Sequence, residues 1–327
     1  MANVLLIGIG PTALSALDSL ATKLNVLGLV RDTNTEPNAS DMVVIRAHEL
    51  DIPIFSDISP AAIAALVSDL KPDGVIVSSY NRILKPELLA QCPFVNVHYA
   101  PLPKYRGRAN VNWALINDEP WAGITIHEMV PDLDAGNILF QQLIPIRDHD
   151  TVADLYEKLN ALQREHLADT IIRFLNGHQG IPQRREEATY GCSRVPTDGE
   201  IEWTLSTRKI DCLVRALVAP FPGAYTYFQG KRLLIWKAKP VENPSHYAGR
   251  IPGRVVAASK SEGYIDVLTG DGILRIFEVQ LDDGDKTAAA EVIKSVRSTL
   301  GLRVSDLLDR VYALEQQIAK LNGIYNN

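Results

Sequence analysis

Apolar residues in the first half of the chain come in short unbroken runs rather than in alternation with polar ones. Val4 to Ile9, Val26 to Val30 and Gly74 to Ser78 are such runs, and Thr12 to Leu24 places its apolar positions at helical spacing. Strand-length runs with no polar face are the signature of strands covered on both sides, and helical stretches between them supply the crossovers of a parallel sheet. The pattern predicts an α/β domain with a parallel-rich sheet to about residue 180. Asp150 to Leu175 reads as a helix, with Asp150 or Thr151 as its cap and Asn176-Gly177 as its stop. A charged stretch over 179–196, containing Pro182 and Gly191, then breaks the pattern. Beyond it, Tyr225 to Phe228, Leu233 to Lys237, Arg254 to Ala257, Tyr264 to Leu268 and Leu274 to Val279 are strand-like and separated by glycine-bearing turns, which predicts a small closed or open β-barrel. Near the C-terminus, Val304, Leu307, Val311, Leu314, Ile318 and Leu321 recur at three and four residues, the spacing of a helical seam. Such a stripe needs cover, either from a second copy in a homodimer or from the chain's own barrel.

The expected organisation is therefore a catalytic domain over 1–185, a linker over 186–195, a small β-rich domain over 196–290 and a helical segment over 291–327. A length of 327 residues suits two domains, and 46% hydrophobic with 22% charged residues is the balance of a chain that buries a sizeable core. No apolar run reaches the ~20 residues of a membrane span, and the start, Met-Ala-Asn-Val-Leu-Leu-Ile-Gly, has neither a basic region nor a cleavage signature. A cytoplasmic protein without a membrane partner is expected. Cys92, Cys192 and Cys212 are too far apart to suggest a disulfide framework or a zinc site.

Candidate chemistry gathers on two segments. Asn96 and His98 lie two residues apart at the end of the run Pro93-Phe94-Val95, so a strand would point both to one face. An imidazole and an amide on one face can serve as proton acceptor and fixed hydrogen-bond donor for a single reacting carbon. Asp134, in Asp132-Leu133-Asp134-Ala135-Gly136, can orient that imidazole or hold a water that relays the proton. Lys104, Arg106 and Arg108 form a basic cluster, interleaved with Tyr105 and Gly107, that suits a pyrophosphate or a carboxylate. His127, in the alternating stretch Ile124 to Met129, suits packing or orientation. Gly8-Ile9-Gly10-Pro11-Thr12-Ala13, with Asp32 after the second run, meets the dinucleotide fingerprint and on its own would favour a nicotinamide enzyme. Pro11, however, takes a backbone N–H out of that turn.

Residues Asn96 to Asn137 resemble the catalytic core of the formyltransferases that use N10-formyltetrahydrofolate, with their Asn-x-His pair and later Asp before Ala-Gly. Lys104 to Arg108, Asn112-Trp113 and Gly123 to His127 are similar to the enzymes that formylate the amine of a nucleotide-linked amino sugar. Gly199 to Trp203, Val214-Arg215-Ala216 and Pro220 to Tyr225 resemble the second domain of the same enzymes, while Tyr99-Ala100-Pro101 departs from the usual small residue, Ser or Ala, then Leu. The resemblance implies a Rossmann-like formyltransferase domain, a small OB-like β-barrel domain and a C-terminal helix. It implies direct attack by the amine with His98 as base, Asn96 stabilising the oxyanion and Asp134 orienting or relaying protons. It implies that Tyr80, Arg82, Ile83 and Leu84 hold the folate, with Met129, Val130 and Asp132 on its other side. Gly8, Gly10, Lys104, Tyr105, Arg106, Gly107, Arg108 and Tyr225 are then expected at the nucleotide-linked amino sugar.

The alternative acceptor is methionyl-tRNA. Nucleic-acid binding needs a basic footprint, since phosphate neutralisation carries most of the affinity, yet the net charge is −6 and the charges of the loop Arg31 to Asp41 are mostly acidic. No nucleic-acid partner is expected.

Overall fold

The computed structural model describes residues 1–32, 42–282, 284–302 and 304–325, so most of the acidic loop weighed above, residues 33–41, lies outside the described residues. The chain divides into two compact units, one of Met1–Ala114 with Glu119–Arg194, the other of Leu115–Asp118 with everything from Val195 onward.

The first unit runs β1 (Asn3–Gly8), α1 (Gly10–Leu20), β2 (Asn25–Val30), α2 (Met42–Glu49), β3 (Ile54–Phe55), α3 (Pro60–Leu70), β4 (Gly74–Ser78), α4 (Pro86–Leu89) and β5 (Phe94–His98). It continues with β6 (Arg106–Gly107), α5 (Asn110–Ile116, whose last two residues count with the second unit), β7 (Trp121–Glu128), β8 (Ile138–Pro145), α6 (Val152–Leu175) and β9 (Tyr190–Gly191). Seven strands form one sheet in the order β3-β2-β1-β4-β5-β7-β8. The first five are mutually parallel, as the unbroken apolar runs predict, and β7 and β8 extend the sheet antiparallel. Val4 to Ile7 and Val75 to Val77 are almost fully buried, which is why these strands carry no polar face. Gly8 has a packing reason to be glycine: an added Cβ would stand 2.0 Å from the Ser78 carbonyl oxygen on the neighbouring strand.

α6 starts as its sequence indicates. Thr151 and Asp154 form a capping box, with Asp154 N donating to Thr151 Oγ1 and Thr151 N donating to Asp154 Oδ2, and Asn176 caps the other end before Gly177 at φ +92°. The helix packs on α1, where Ser15 Oγ and Ser19 Oγ donate to the carbonyls of Asn160 and Arg164.

The stretch expected to be a linker, 186–195, is built into the first unit as far as Arg194. β9 pairs parallel with β6 in the register Arg106↔Tyr190, and just before it Ile181 exchanges two 2.8 Å backbone bonds with Ile138. Proline, glycine and charge mark it correctly as irregular, but its partners lie far back in the chain, where local composition does not look.

The second unit carries α7 (Thr207–Ala216), β10 (Ala224–Phe228), β11 (Lys231–Pro240), β12 (Val255–Ser259), β13 (Tyr264–Leu268), β14 (Ile273–Leu281), β15 (Lys286–Ala288), α8 (Ala289–Val292) and α9 (Val304–Tyr325). Its strands make an antiparallel sheet in the order β10-β11-β14-β13-β12 with β15 also on β14. β10 and β12 end that order, and residues 298–301 bridge them, bonded to Gly253 and Val255 on one side and to the Tyr227 carbonyl on the other, so the sheet closes toward the barrel that the chain predicts. The expected helical segment over 291–327 is interrupted: Ile293 and Leu300 are buried, and backbone bonds from Leu300 to Gly253 and from Gly301 to Tyr227 hold the chain extended before α9 begins. The six seam residues of α9 are between 46% and 73% exposed, so of the two covers expected for this stripe the chain's own barrel does not supply one.

Candidate active site

β5 delivers Asn96 and His98 to one face, as alternation requires, and both line a cavity of about 470 Å³ at the C-terminal ends of β4 and β5. Antiparallel pairing of β7 with β5 sets His127 opposite Asn96 and Thr125 opposite His98. Asp134 follows in a loop, in the left-handed region at φ +47°, and its Oδ2 accepts from the Gly107 N–H at 2.8 Å. One carboxylate thus stands between two buried imidazoles: Asp134 Oδ2 is 3.7 Å from His98 Nδ1, and Oδ1 is 3.7 Å from His127 Nε2.

Fixed acceptors assign the tautomers. His98 Nε2 lies 2.8 Å from the Tyr105 carbonyl oxygen, which can only accept, so Nε2 carries the proton and Nδ1 is the basic nitrogen of the neutral ring. Asn110 Nδ2, which donates to the Gly107 carbonyl, also stands 3.0 Å from His98 Nε2 and as a donor would favour the opposite tautomer, so the assignment rests on the Tyr105 carbonyl, the nearer group and the one that can only accept. His127 Nδ1 donates to the Glu128 carbonyl at 2.7 Å, leaving Nε2 to accept from Asn96 Nδ2 at 3.2 Å. Burial, and after it the neighbouring His98, pulls the pKa of His127 well below the usual imidazole range, so this ring stays neutral and keeps accepting. One amide hydrogen of Asn96 is therefore committed to His127, and the other is free for the cavity.

The Asp134 loop is held from beneath. Gln183 Nε2 donates to the carbonyls of Asp134 and Gly136 at 2.8 Å, and Gln183 Oε1 accepts from Arg106 Nη2 at 2.7 Å. Gly136 allows the loop to close, because an added Cβ would meet the Glu128 carbonyl oxygen at 2.0 Å. The glycine of Asp-Ala-Gly is thus tied to the same carbonyl that fixes the His127 tautomer.

Of the residues singled out from sequence, Tyr80, Arg82, Ile83, Asn96, His98, Gly107, Arg108 and Asp134 line the cavity. Leu84 instead sits in the apolar core under the loop, where Met129 also packs. Val130 and Asp132 are exposed and do not line it; Asp132 faces Arg185 at 3.7 Å, and Leu133 between it and Asp134 takes the lining place. Arg106 is buried and ties the Asp134 loop rather than facing a ligand, while Lys104 is exposed away from the lining. Tyr105 contributes its carbonyl to His98 and its hydroxyl to Glu119. Gly8 and Gly10 serve the β1–α1 turn, whose contribution to the lining is Thr12, bonded to Ser79 at 2.8 Å. Tyr225 belongs to β10 of the second unit, with its hydroxyl 3.4 Å from the Thr197 carbonyl. Sequence reasoning missed Asn110, Tyr99, Tyr156 and Gln183. Tyr99 donates to α6, with Asn160 Oδ1 at 2.7 Å and Gln163 Oε1 at 2.6 Å from its hydroxyl, a tertiary contact that no local motif reveals.

The family model described as formyl transferase matches residues 40–171, and that described as formyl transferase, C-terminal domain, matches residues 195–297. A methionyl-tRNA formyltransferase of Caldanaerobacter subterraneus subsp. tengcongensis is 37% identical over 231 residues, 69% of this chain and 72% of the relative. Among solved structures, HypX from Aquifex aeolicus in complex with tetrahydrofolic acid matches with a TM-score of 0.65 at 19% identity over 90% of this chain, which spans 47% of HypX. A sugar N-formyltransferase, WlaRD, solved with dTDP and 5-N-formyl-tetrahydrofolate, matches with a TM-score of 0.64 at 19% identity, covering 87% of this chain and 99% of its own. An N-formyltransferase from Helicobacter canadensis in complex with folinic acid and dTDP-3-aminofucose gives a TM-score of 0.64 at 19% identity, covering 84% and 98%.

Proposed function

This chain belongs to the formyl transferase family, and on that premise we propose that it moves a formyl group from N10-formyltetrahydrofolate to the amine of a nucleotide-linked amino sugar. The observation that carries the reading is the carboxylate between two buried histidines, one of them holding the Asn96 amide, on the floor of a cavity of about 470 Å³. That size lies in the usual range for small-ligand sites, roughly 300–1,000 Å³, and suits a folate headgroup beside a sugar. The donor supplies an activated formyl carbon. Asn96 offers its free amide hydrogen to the oxygen that gains charge as the amine adds. His98 Nδ1 takes the proton the amine must lose and can return one to the departing donor nitrogen. The ring becomes doubly protonated in between, with Nε2–H on the Tyr105 carbonyl and Nδ1–H facing Asp134, whose charge favours that state. At 3.7 Å the carboxylate acts through its field or through one water. Arg82 and Arg108, at the rim, suit the anionic parts of donor and acceptor, and Arg108 is anchored by its bond to the Asn81 carbonyl at 3.0 Å.

The acidic balance of −6 supports a small nucleotide-linked acceptor over a tRNA, and two of the similar solved structures were obtained with both a folate and dTDP or a dTDP-linked amino sugar. The methionyl-tRNA reading rests on the 37% identical relative. Among the described residues no helix is long and apolar enough to cross a membrane. The test is to incubate the enzyme and N10-formyltetrahydrofolate with dTDP-, UDP- and GDP-linked 3- and 4-amino sugars and, at matched salt, with methionyl-tRNA, reading the gain of one formyl group by mass spectrometry. A formylated sugar nucleotide with unmodified tRNA is expected. Comparable formylation of tRNA would replace the sugar reading.

A further inference from the structure

α9 has no buried position among its described side chains. A helix of 22 residues with no tertiary cover is marginal in water, and this one holds half-exposed leucine, isoleucine and valine on one stripe. The stripe is specific about its occupant. Set on a heptad, Val304, Val311 and Ile318 take the a positions and Leu307, Leu314 and Leu321 take d. β-Branched residues at a with leucine at d is the combination that favours two parallel strands over trimers or tetramers. The flanking charges agree: Arg310 falls at g and Glu315 at the following e, so two copies in parallel register bring Arg310 of each toward Glu315 of the other. Antiparallel pairing over the whole stripe would instead set g against g and e against e, with Arg310 facing Gln317 and Glu315 facing apolar Leu308. Arg310 is exposed, and its guanidinium lies beside Gly230 of the β10–β11 turn of its own chain.

We propose that α9 pairs with α9 of a second copy as a parallel, in-register two-stranded coiled coil that joins two formyltransferase chains. The inference stands apart from the choice of acceptor. It is tested on the full-length chain. Sedimentation or light scattering should give a dimer for the wild type and a monomer for Leu314→Asp with circular dichroism otherwise like the wild type. Arg310→Glu should weaken the dimer at least tenfold, and Arg310→Glu with Glu315→Arg should restore most of that loss. Orientation is read by disulfide trapping in a Cys192→Ser background: Leu307→Cys alone and Leu321→Cys alone should each give cross-linked dimers under mild oxidation. A wild-type monomer, a dimer untouched by Leu314→Asp, or cross-linking only when Leu307→Cys and Ile318→Cys chains are mixed would overturn the proposal.

Discussion

The floor of the cavity and its rim are made differently. On the floor, Asn96, His98 and His127 sit on paired strands, nearly every ring nitrogen and amide hydrogen has an assigned partner, and Asp134 is tied to Gly107 and Gln183. At the rim, Tyr80, Arg82, Ile83 and Arg108 come from loops and meet solvent, with Ile83 85% exposed. Strand pairing fixes side chains to within tenths of an ångström, which proton transfer needs, whereas loops tolerate the variation that different ligands require. On the proposed function, that difference assigns the reaction to the floor and the choice of ligand to the rim.

The largest effects should come from breaking the floor. His98→Ala removes the proposed base and should lower kcat by ~10²- to 10⁴-fold, and Asn96→Ala by ~10²- to 10³-fold, both read in steady-state formyl transfer. Asp134→Asn keeps the shape and removes the charge, so kcat should fall by roughly tenfold to a hundredfold, less than for His98→Ala because the carboxylate acts across 3.7 Å.

His127→Gln sharpens the comparison from the side of stability. The folded state holds His127 below its unfolded value of 6.5, so below about that pH the unfolded chain binds a proton that the folded one refuses, and stability falls as pH falls. Urea unfolding at pH 7.5 and pH 5 should show this loss in the wild type, about 1.4 kcal/mol for each pH unit below the unfolded value, and a flatter dependence in the variant. Smallest of all, Arg82→Ala should raise KM by a few-fold to about tenfold while leaving kcat within about twofold, since a rim charge contributes mainly to binding.

Much of this was legible in the chain. Unbroken apolar runs marked β1, β2 and β4, the Thr151 cap and Asn176-Gly177 stop bracketed α6, and the two-residue spacing of Asn96 and His98 put both on one face. What remained hidden depended on long-range pairing. The role of His127 exists only because β7 lies against β5 in one register, and Arg106 looked like a ligand-binding cation because a sequence does not show that it is buried on Gln183. The segment 186–195 looked like a tether for the same reason: its partner strand β6 is remote in sequence. The stripe of α9 was visible, but whether anything covers it was a question of packing alone.

The measurement closest to the central claim is a side-by-side comparison of His98→Ala and Arg108→Ala in the full-length enzyme, with single-turnover formyl transfer at saturating substrates and donor and acceptor affinities measured separately. The division of floor and rim predicts that His98→Ala loses at least ~10²-fold in rate with affinities within about twofold. It predicts that Arg108→Ala loses affinity and keeps its rate. A His98→Ala enzyme that turns over like the wild type, or an Arg108→Ala enzyme that loses rate as steeply as His98→Ala, would contradict it.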